Sequence, residues 1–191
     1  MTQTLDTKLD RLRRLLDELP SALIAFSGGV DSSFLLRVAA DTMGARCTAL
    51  TTVSPTTPDD DLSDARALAA ALGVTHLVID TNELAIPGYA ANPINRCYFC
   101  KENLFTICAA EAATRGIGAV LDGANVDDLG DHRPGLTAAA ELRVRHPLVE
   151  CELTKAEIRV ASHGLGLATW DRPSSPCLSS RFPYGTTITA E

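Results

Sequence analysis

Leu23-Ile24-Ala25-Phe26-Ser27-Gly28-Gly29-Val30-Asp31-Ser32 carries the reading on which the fold turns. A short apolar run fits a buried strand, the two glycines make a turn, and a helical pattern runs from Ser32 to Asp41. Paired glycines let the backbone approach an anion closely. The helix that starts near Asp31 points its free N–H groups and its positive dipole end at the same place. Ser27 and Ser32 add two hydroxyl donors, so the turn suits a pyrophosphate. No lysine follows the glycines at the spacing of a Walker loop. Gly28-Gly29 alone would also fit an ordinary strand-to-helix turn.

Working outward, Leu5, Leu9, Leu12, Leu16 and Leu19 recur at helical spacing, so an amphipathic helix precedes the first strand and stops at Pro20. Beyond the turn the strand-and-helix unit repeats. Cys47 to Val53 reads as a strand, Asp59 to Leu72 as a helix and Thr75 to Ile79 as a third strand. A helix from about Tyr98 to Thr114 leads to a strand at Ala119 to Leu121, and Val144 to Leu148 reads as a fifth. The expected fold is α/β: a parallel five-stranded sheet with helices on both faces and a ligand crevice at the carboxyl ends of the strands. The stretch from Asp171 to Gly185 reads as an ordered loop because it holds Cys177 and Arg181.

Bulk properties narrow the function. A chain of 191 residues, 46% hydrophobic and 21% charged, fits one domain spanning 1–191. A net charge of -7 speaks against a nucleic-acid scaffold and for a small-molecule substrate. Met1 to Lys8 is polar and Ala22 to Phe26 is too short for a signal core or a membrane span, which suggests a cytoplasmic protein. Six cysteines without a secretory signal read as buried, metal-binding or reactive thiols rather than disulfides.

Two further motifs fall at predicted strand or helix ends. Asp122-Gly123-Ala124-Asn125-Val126-Asp127-Asp128 follows the fourth strand, where Asp122, Asn125 and Asp128 can hold Mg2+ or orient ribose and substrate, or form only a solvated acidic turn. Cys97 and Cys100 open a predicted helix, flanked by Arg96 and Lys101, a setting that favours thiolate. Two sulfurs cannot close a tetrahedral site, and Cys177 is the candidate third ligand. Cys47 and Cys108 read as buried apolar residues, Cys151 stays open between the two readings, and none of the four histidines has metal-ligand spacing.

Ser27 to Ser32 resembles the PP-loop of the ATP pyrophosphatases, whose members split ATP between its α and β phosphates and leave AMP on a substrate. Taken with Arg96 to Lys101, Asp122 to Asp128, Gly130 to Leu136, Thr154 to Arg159 and, most specifically, Cys177 to Thr186, the chain resembles the LarE family of ATP-dependent sulfurtransferases. The resemblance implies adenylation of pyridinium-3,5-biscarboxylic acid mononucleotide and its conversion to a thiocarboxylate for the nickel-pincer nucleotide of lactate racemase. It further implies that ATP is held at Ser27, Gly28, Gly29, Asp31 and Ser32, with Mg2+. Some relatives sacrifice the cysteine matching Cys177, whereas others bind a [4Fe-4S] cluster on three cysteines. The pair Cys97 and Cys100 favours the cluster, completed by Cys177. A sacrificial Cys177 is the alternative, and zinc at the same sulfurs a weaker one. Ser180 and Arg181 are expected beside the acyl adenylate, with Arg181 pairing a carboxylate or phosphate unless it only fixes the loop.

Family chains continue into a smaller carboxyl-terminal domain and assemble as hexamers, so a chain stopping at Glu191 is expected to be a truncated one with an open assembly state. Rival readings are a PP-loop tRNA thiolation enzyme, an amidating ligase of the NAD synthetase kind, and a nucleotide-binding domain without chemistry. The acidic balance disfavours the first, and the three cysteines have no use in the second.

Overall fold

The structure, a computed structural model, describes residues 3–55, 57, 59–130, 134–173 and 177–189. Parts of two quoted segments, 131–133 and 174–176, therefore lie outside the described residues, His132 among them.

In chain order the elements are α1 (Leu5–Asp17), β1 (Ala22–Ala25), α2 (Val30–Met43), β2 (Cys47–Val53), α3 (Asp59–Ala71), β3 (Thr75–Asp80), α4 (Pro87–Ala90), α5 (Arg96–Arg115), β4 (Ala119–Leu121), α6 (Pro134–Glu141), α7 (Pro147–Glu150) and α8 (Lys155–Gly164). The strands form one parallel sheet in the order β3-β2-β1-β4. The chain leaves β1 toward β2 and later returns to its other side as β4. That reversal leaves a crevice above the carboxyl ends of the strands, where ligands bind in open α/β sheets.

All four residues of β1 are buried, and its two faces pack different layers. Ala22 and Ile24 join Leu12 and Leu16 of α1 and Phe34 and Leu35 of α2 in one apolar cluster. Leu23 and Ala25 join Phe105 and Cys108 of α5 and Ala139 of α6 in the other. Burial on both faces explains why the strand reads as an unbroken apolar run rather than an alternating one.

The sheet has four strands among the described residues, not the five expected. The segment read as a fifth lies in the right place but forms only a single parallel bridge, Arg145 to Leu121. Arg145 donates its backbone N–H to Val120 at 3.0 Å and accepts from Asp122 at 3.1 Å. Pro147 then opens α7 and has no N–H to extend the ladder, which ends the pairing.

Three cysteines are core residues. Cys47, Cys108 and Cys151 are buried, the last resolving the reading left open. Burial pushes the thiols of Cys47 and Cys108 up to about 12 and that of Cys151 to about 11. None of the three lines the main cleft.

Candidate functional site

The cleft begins at the turn after β1. Phe26 still pairs with Leu50 at 2.8 Å, and then Gly28 reverses the chain at a φ of 75°. A side chain there would be strained by that backbone and would also meet the Asp61 carbonyl at 3.3 Å and Ala65 Cβ at 3.4 Å, because α3 packs on the turn. Gly29 is the N-cap of α2 and has no side chain to occupy the amides of the first turn, which leaves them to a ligand. The Ser27 and Ser32 hydroxyls stand 3.1 Å apart beside those amides. An anion entering this turn meets donors from backbone and side chain together.

The acidic segment after β4 sits directly against this turn. A Cβ on Gly123 would lie 2.9 Å from the Ser32 nitrogen and 3.1 Å from the Asp31 carbonyl carbon, so only glycine permits the approach. Asp122 is buried, accepts from His146 Nδ1 at 2.6 Å, and pairs with Lys101 at 3.4 Å. Burial opposes ionisation of Asp122, yet the His146 hydrogen bond, the Lys101 charge and the Ala124 amide outweigh it and hold the carboxyl down at about 2. Asn125 is buried as well. It donates to Asp31 at 3.4 Å and accepts from the Asp127 N–H at 2.9 Å, while its own N–H donates to Asp128 at 3.0 Å. Much of this segment is thus a bracket fixing the turn, with Asp122 and Asp128 reaching the cleft.

Two cations on the cleft had no role in the sequence reading. Lys155 opens α8, whose start is fixed by a reciprocal cap between Thr154 and Glu157, and its Nζ donates to Asp31. Arg172 donates to Asp61 at 2.9 Å and to the Gly28 carbonyl at 3.4 Å, and pairs with Asp64 at 3.1 Å. Both therefore stand beside the phosphate turn. The only hint of Lys155 in the sequence is its place in the Thr154 to Arg159 string, and Arg172 reads there only as part of the ordered loop from Asp171 to Gly185.

A second stretch of the cleft wall carries sulfur. Cys97 and Cys100 lie in the first turns of α5, and they and Cys177 line the same cleft of about 690 Å³ as Ser27, Asp31 and Ser32. That volume is within the range of small-molecule sites. Cys97 and Cys177 are exposed, and Cys100 is half-buried with its thiol donating to Glu83 Oε1 at 3.4 Å. The thiolate expected of Cys100 is not what the structure favours: burial first, then the Glu83 carboxylate, push its thiol up, outweighing Lys101. Among the described residues no three Cys, His, Asp or Glu side chains are gathered closely enough to hold a metal ion. Of the other expected site residues, Gly28, Asn125, Ser180 and Arg181 do not line the cleft. Arg181 is exposed at the end of a short 3-10 turn, Leu178–Arg181, and the Ser180 hydroxyl is 3.3 Å from Cys177 Sγ. No helix among the described residues is long and apolar enough to cross a membrane.

The family model described as asparagine synthase matches residues 12–129. An uncharacterized protein of Synechocystis sp. is 50% identical over 98% of this chain and 70% of its own length. The pyridinium-3,5-bisthiocarboxylic acid mononucleotide synthase of Lactiplantibacillus plantarum is 36% identical over 97% of this chain and 68% of its own. Among solved structures, the NMN synthetase of Francisella tularensis superposes with a TM-score of 0.71 at 18% identity, covering 91% of this chain and 76% of that one. The NH3-dependent NAD synthetase of Campylobacter jejuni gives 0.69 at 16% identity, covering 87% and 75%. At such low identity the last two speak for the fold alone.

Proposed function

Since the chain belongs to the LarE family of PP-loop ATP-dependent enzymes, we propose that it adenylates a carboxylate of pyridinium-3,5-biscarboxylic acid mononucleotide and converts it to a thiocarboxylate. The observation that carries the reading is the single cleft, with a phosphate turn on one wall and Cys97, Cys100 and Cys177 on the other. An amide-forming ligase has no use for the second wall.

In the first half-reaction a substrate carboxylate oxygen attacks the α phosphorus of ATP. The acyl adenylate forms and pyrophosphate leaves into the donors of Ser27, Ser32 and the first turn of α2. Lys155 and Arg172 add positive charge beside it, and Asp31, Asp122 and Asp128 are the candidate anchors for Mg2+. In the second half, hydrosulfide sulfur bonds to the acyl carbon, AMP departs with the C–O bonding pair, and one proton is released.

For the sulfur source, three thiols on one wall suit a [4Fe-4S] cluster in donor type, and Cys97, Cys100 and Cys177 would be its ligands. When bound, such a cluster would supply the sulfur delivered to the substrate. The Cys100 thiol donates to Glu83 in the arrangement seen here, and the exposed Cys97 and Cys177 face the cleft from separate segments. A second reading is favoured by the exposure of Cys177 and by the absence of a gathered three-ligand group among the described residues. In it the Cys177 sulfur attacks the acyl carbon and expels AMP. Loss of the Cys177 α proton then cleaves its Cβ–S bond, leaving dehydroalanine and the thiocarboxylate. The proposal extends to a cytoplasmic setting, a role in maturing lactate racemase, a homo-oligomeric assembly, and no nucleic-acid or membrane partner.

Iron and acid-labile sulfide on anaerobically reconstituted protein, with intact mass before and after reaction, separate the two routes. About four irons per chain and an unchanged mass support the cluster. No iron, with loss of one hydrogen sulfide confined to Cys177, supports the sacrificial route. Cys97→Ala should abolish transfer in the first case and spare a single turnover in the second.

A further inference from the structure

Arg96 is 3% exposed, and its hydrogen bonds among the described residues go to no carboxylate. A buried guanidinium without a counter-charge is costly, so its hydrogen bonds must compensate. Two of the three run to the segment that bears Cys177. Nη1 donates to the Ser179 carbonyl at 2.8 Å and to Asn92 Oδ1 at 2.6 Å, and Nη2 donates to Ser180 Oγ at 3.3 Å. The Tyr184 ring lies 5.8 Å from the guanidinium carbon.

The neighbours reinforce the same clamp. Asn92, fully buried and at a φ of 51°, donates to the Pro183 carbonyl at 2.8 Å and accepts from the Gly185 N–H at 2.8 Å. The Tyr89 and Ser179 hydroxyls share a hydrogen bond of 2.6 Å. The consequence falls on Ser180. Because its oxygen accepts from Arg96, its own O–H is free to donate to Cys177 Sγ, 3.3 Å away.

We propose that Arg96 is a positioning residue for sulfur transfer: its fork fixes Ser179 and Ser180 so that the Ser180 hydroxyl holds the Cys177 sulfur at the rim of the cleft. The inference rests on the sulfur-transfer reading above and applies to either sulfur source. It separates the two half-reactions, because the phosphate turn shares none of these contacts. A lysine cannot replace the fork, since a point charge cannot serve a carbonyl and a hydroxyl in one plane.

The test uses Arg96→Gln, Arg96→Lys, Ser180→Ala and the double variant Arg96→Gln with Ser180→Ala. Three quantities are measured: substrate-dependent pyrophosphate release, thiocarboxylate yield, and the iodoacetamide alkylation rate of Cys177 relative to Cys97. Arg96→Gln should keep pyrophosphate release within about twofold and lower sulfur transfer at least about tenfold, with altered alkylation of Cys177 only. Arg96→Lys should recover little of it. The double variant should lose no more than the worse single one, because the two residues act in series. Equal loss of both half-reactions, unchanged transfer, or additive losses would overturn the proposal. If Arg96→Gln does not fold, Ser180→Ala alone must show the split between half-reactions, and its absence overturns the idea. If unsubstituted protein releases no pyrophosphate with this substrate, the proposed function fails, while unchanged Cys177 alkylation in the Arg96 variants would still refute the positioning role.

Discussion

The two walls of the cleft are built by different means. The phosphate wall is made mainly of backbone: a six-residue turn contiguous in sequence, seated on a fully buried strand and wedged by Gly28 and Gly123 against neighbouring main chain. The sulfur wall is made of side chains from separate stretches of the chain, two of its three thiols exposed, and joined through Arg96, Asn92 and Tyr89. A backbone-built site is present before the ligand arrives, because its geometry is that of the fold. A site assembled from side chains is only as exact as the clamp that holds it, and it can change while the first wall stays intact.

The comparison fails if the walls cannot be disabled separately. Cys177→Ser should have the largest effect, reducing thiocarboxylate formation by on the order of 1000-fold or more while pyrophosphate release continues. Loss of both activities would mean that the walls are coupled. Gly123→Val is the converse. Its Cβ has backbone rather than a flexible side chain to meet, and overpacking of about 1–3 kcal/mol should displace the acidic segment and lower pyrophosphate release about 10–100-fold. Alkylation of Cys177 should not change, and a fully active variant would show that the phosphate wall is less rigid than described.

A smaller effect sharpens the electrostatics of the same wall. The folded-state carboxyl of Asp122 is depressed from 3.8 to about 2, so the unfolded chain binds the proton more readily. Asp122 then contributes stability that is present above pH 4 and lost as pH falls toward 2, on the order of 2 kcal/mol. Urea unfolding between pH 5 and pH 2 should show this loss in the native chain and a flatter profile in Asp122→Asn, and parallel profiles would refute it. Smallest of all, Cys108→Ala should cost about 1 kcal/mol in stability and leave both half-reactions and any bound iron untouched. A lost activity would show that the division between core thiols and cleft thiols is wrong.

The same contrast explains what could be read from the sequence. The turn from Ser27 to Ser32 was legible because strand, glycines and helix start are neighbours in the chain, and the alternation that follows predicts the parallel sheet. Val144 to Leu148 misled because apolar content resembles a strand, while the length of the pairing was decided by Pro147. The cysteine spacing pointed to one wall, but the ionisation of Cys100 depends on its burial and then on Glu83, both of which arise only in the folded chain. Arg172 carries no local pattern that distinguishes it from a surface cation, and Arg96 and Lys155 show only as members of longer strings. Their roles arise from partners far away in sequence.

On the proposed function, this cleft drives sulfur into a carboxylate with ATP as the energy source. The most direct test is mass spectrometry of the pyridinium biscarboxylate mononucleotide after incubation with the protein, ATP, Mg2+ and sulfide under anaerobic conditions, with AMP and pyrophosphate measured in the same samples. The expected product carries sulfur in place of one carboxylate oxygen, forms together with equal amounts of AMP and pyrophosphate, and is absent from the Cys177→Ser variant. Pyrophosphate release without any sulfur-containing product, or an amide formed when ammonia replaces sulfide, would contradict it.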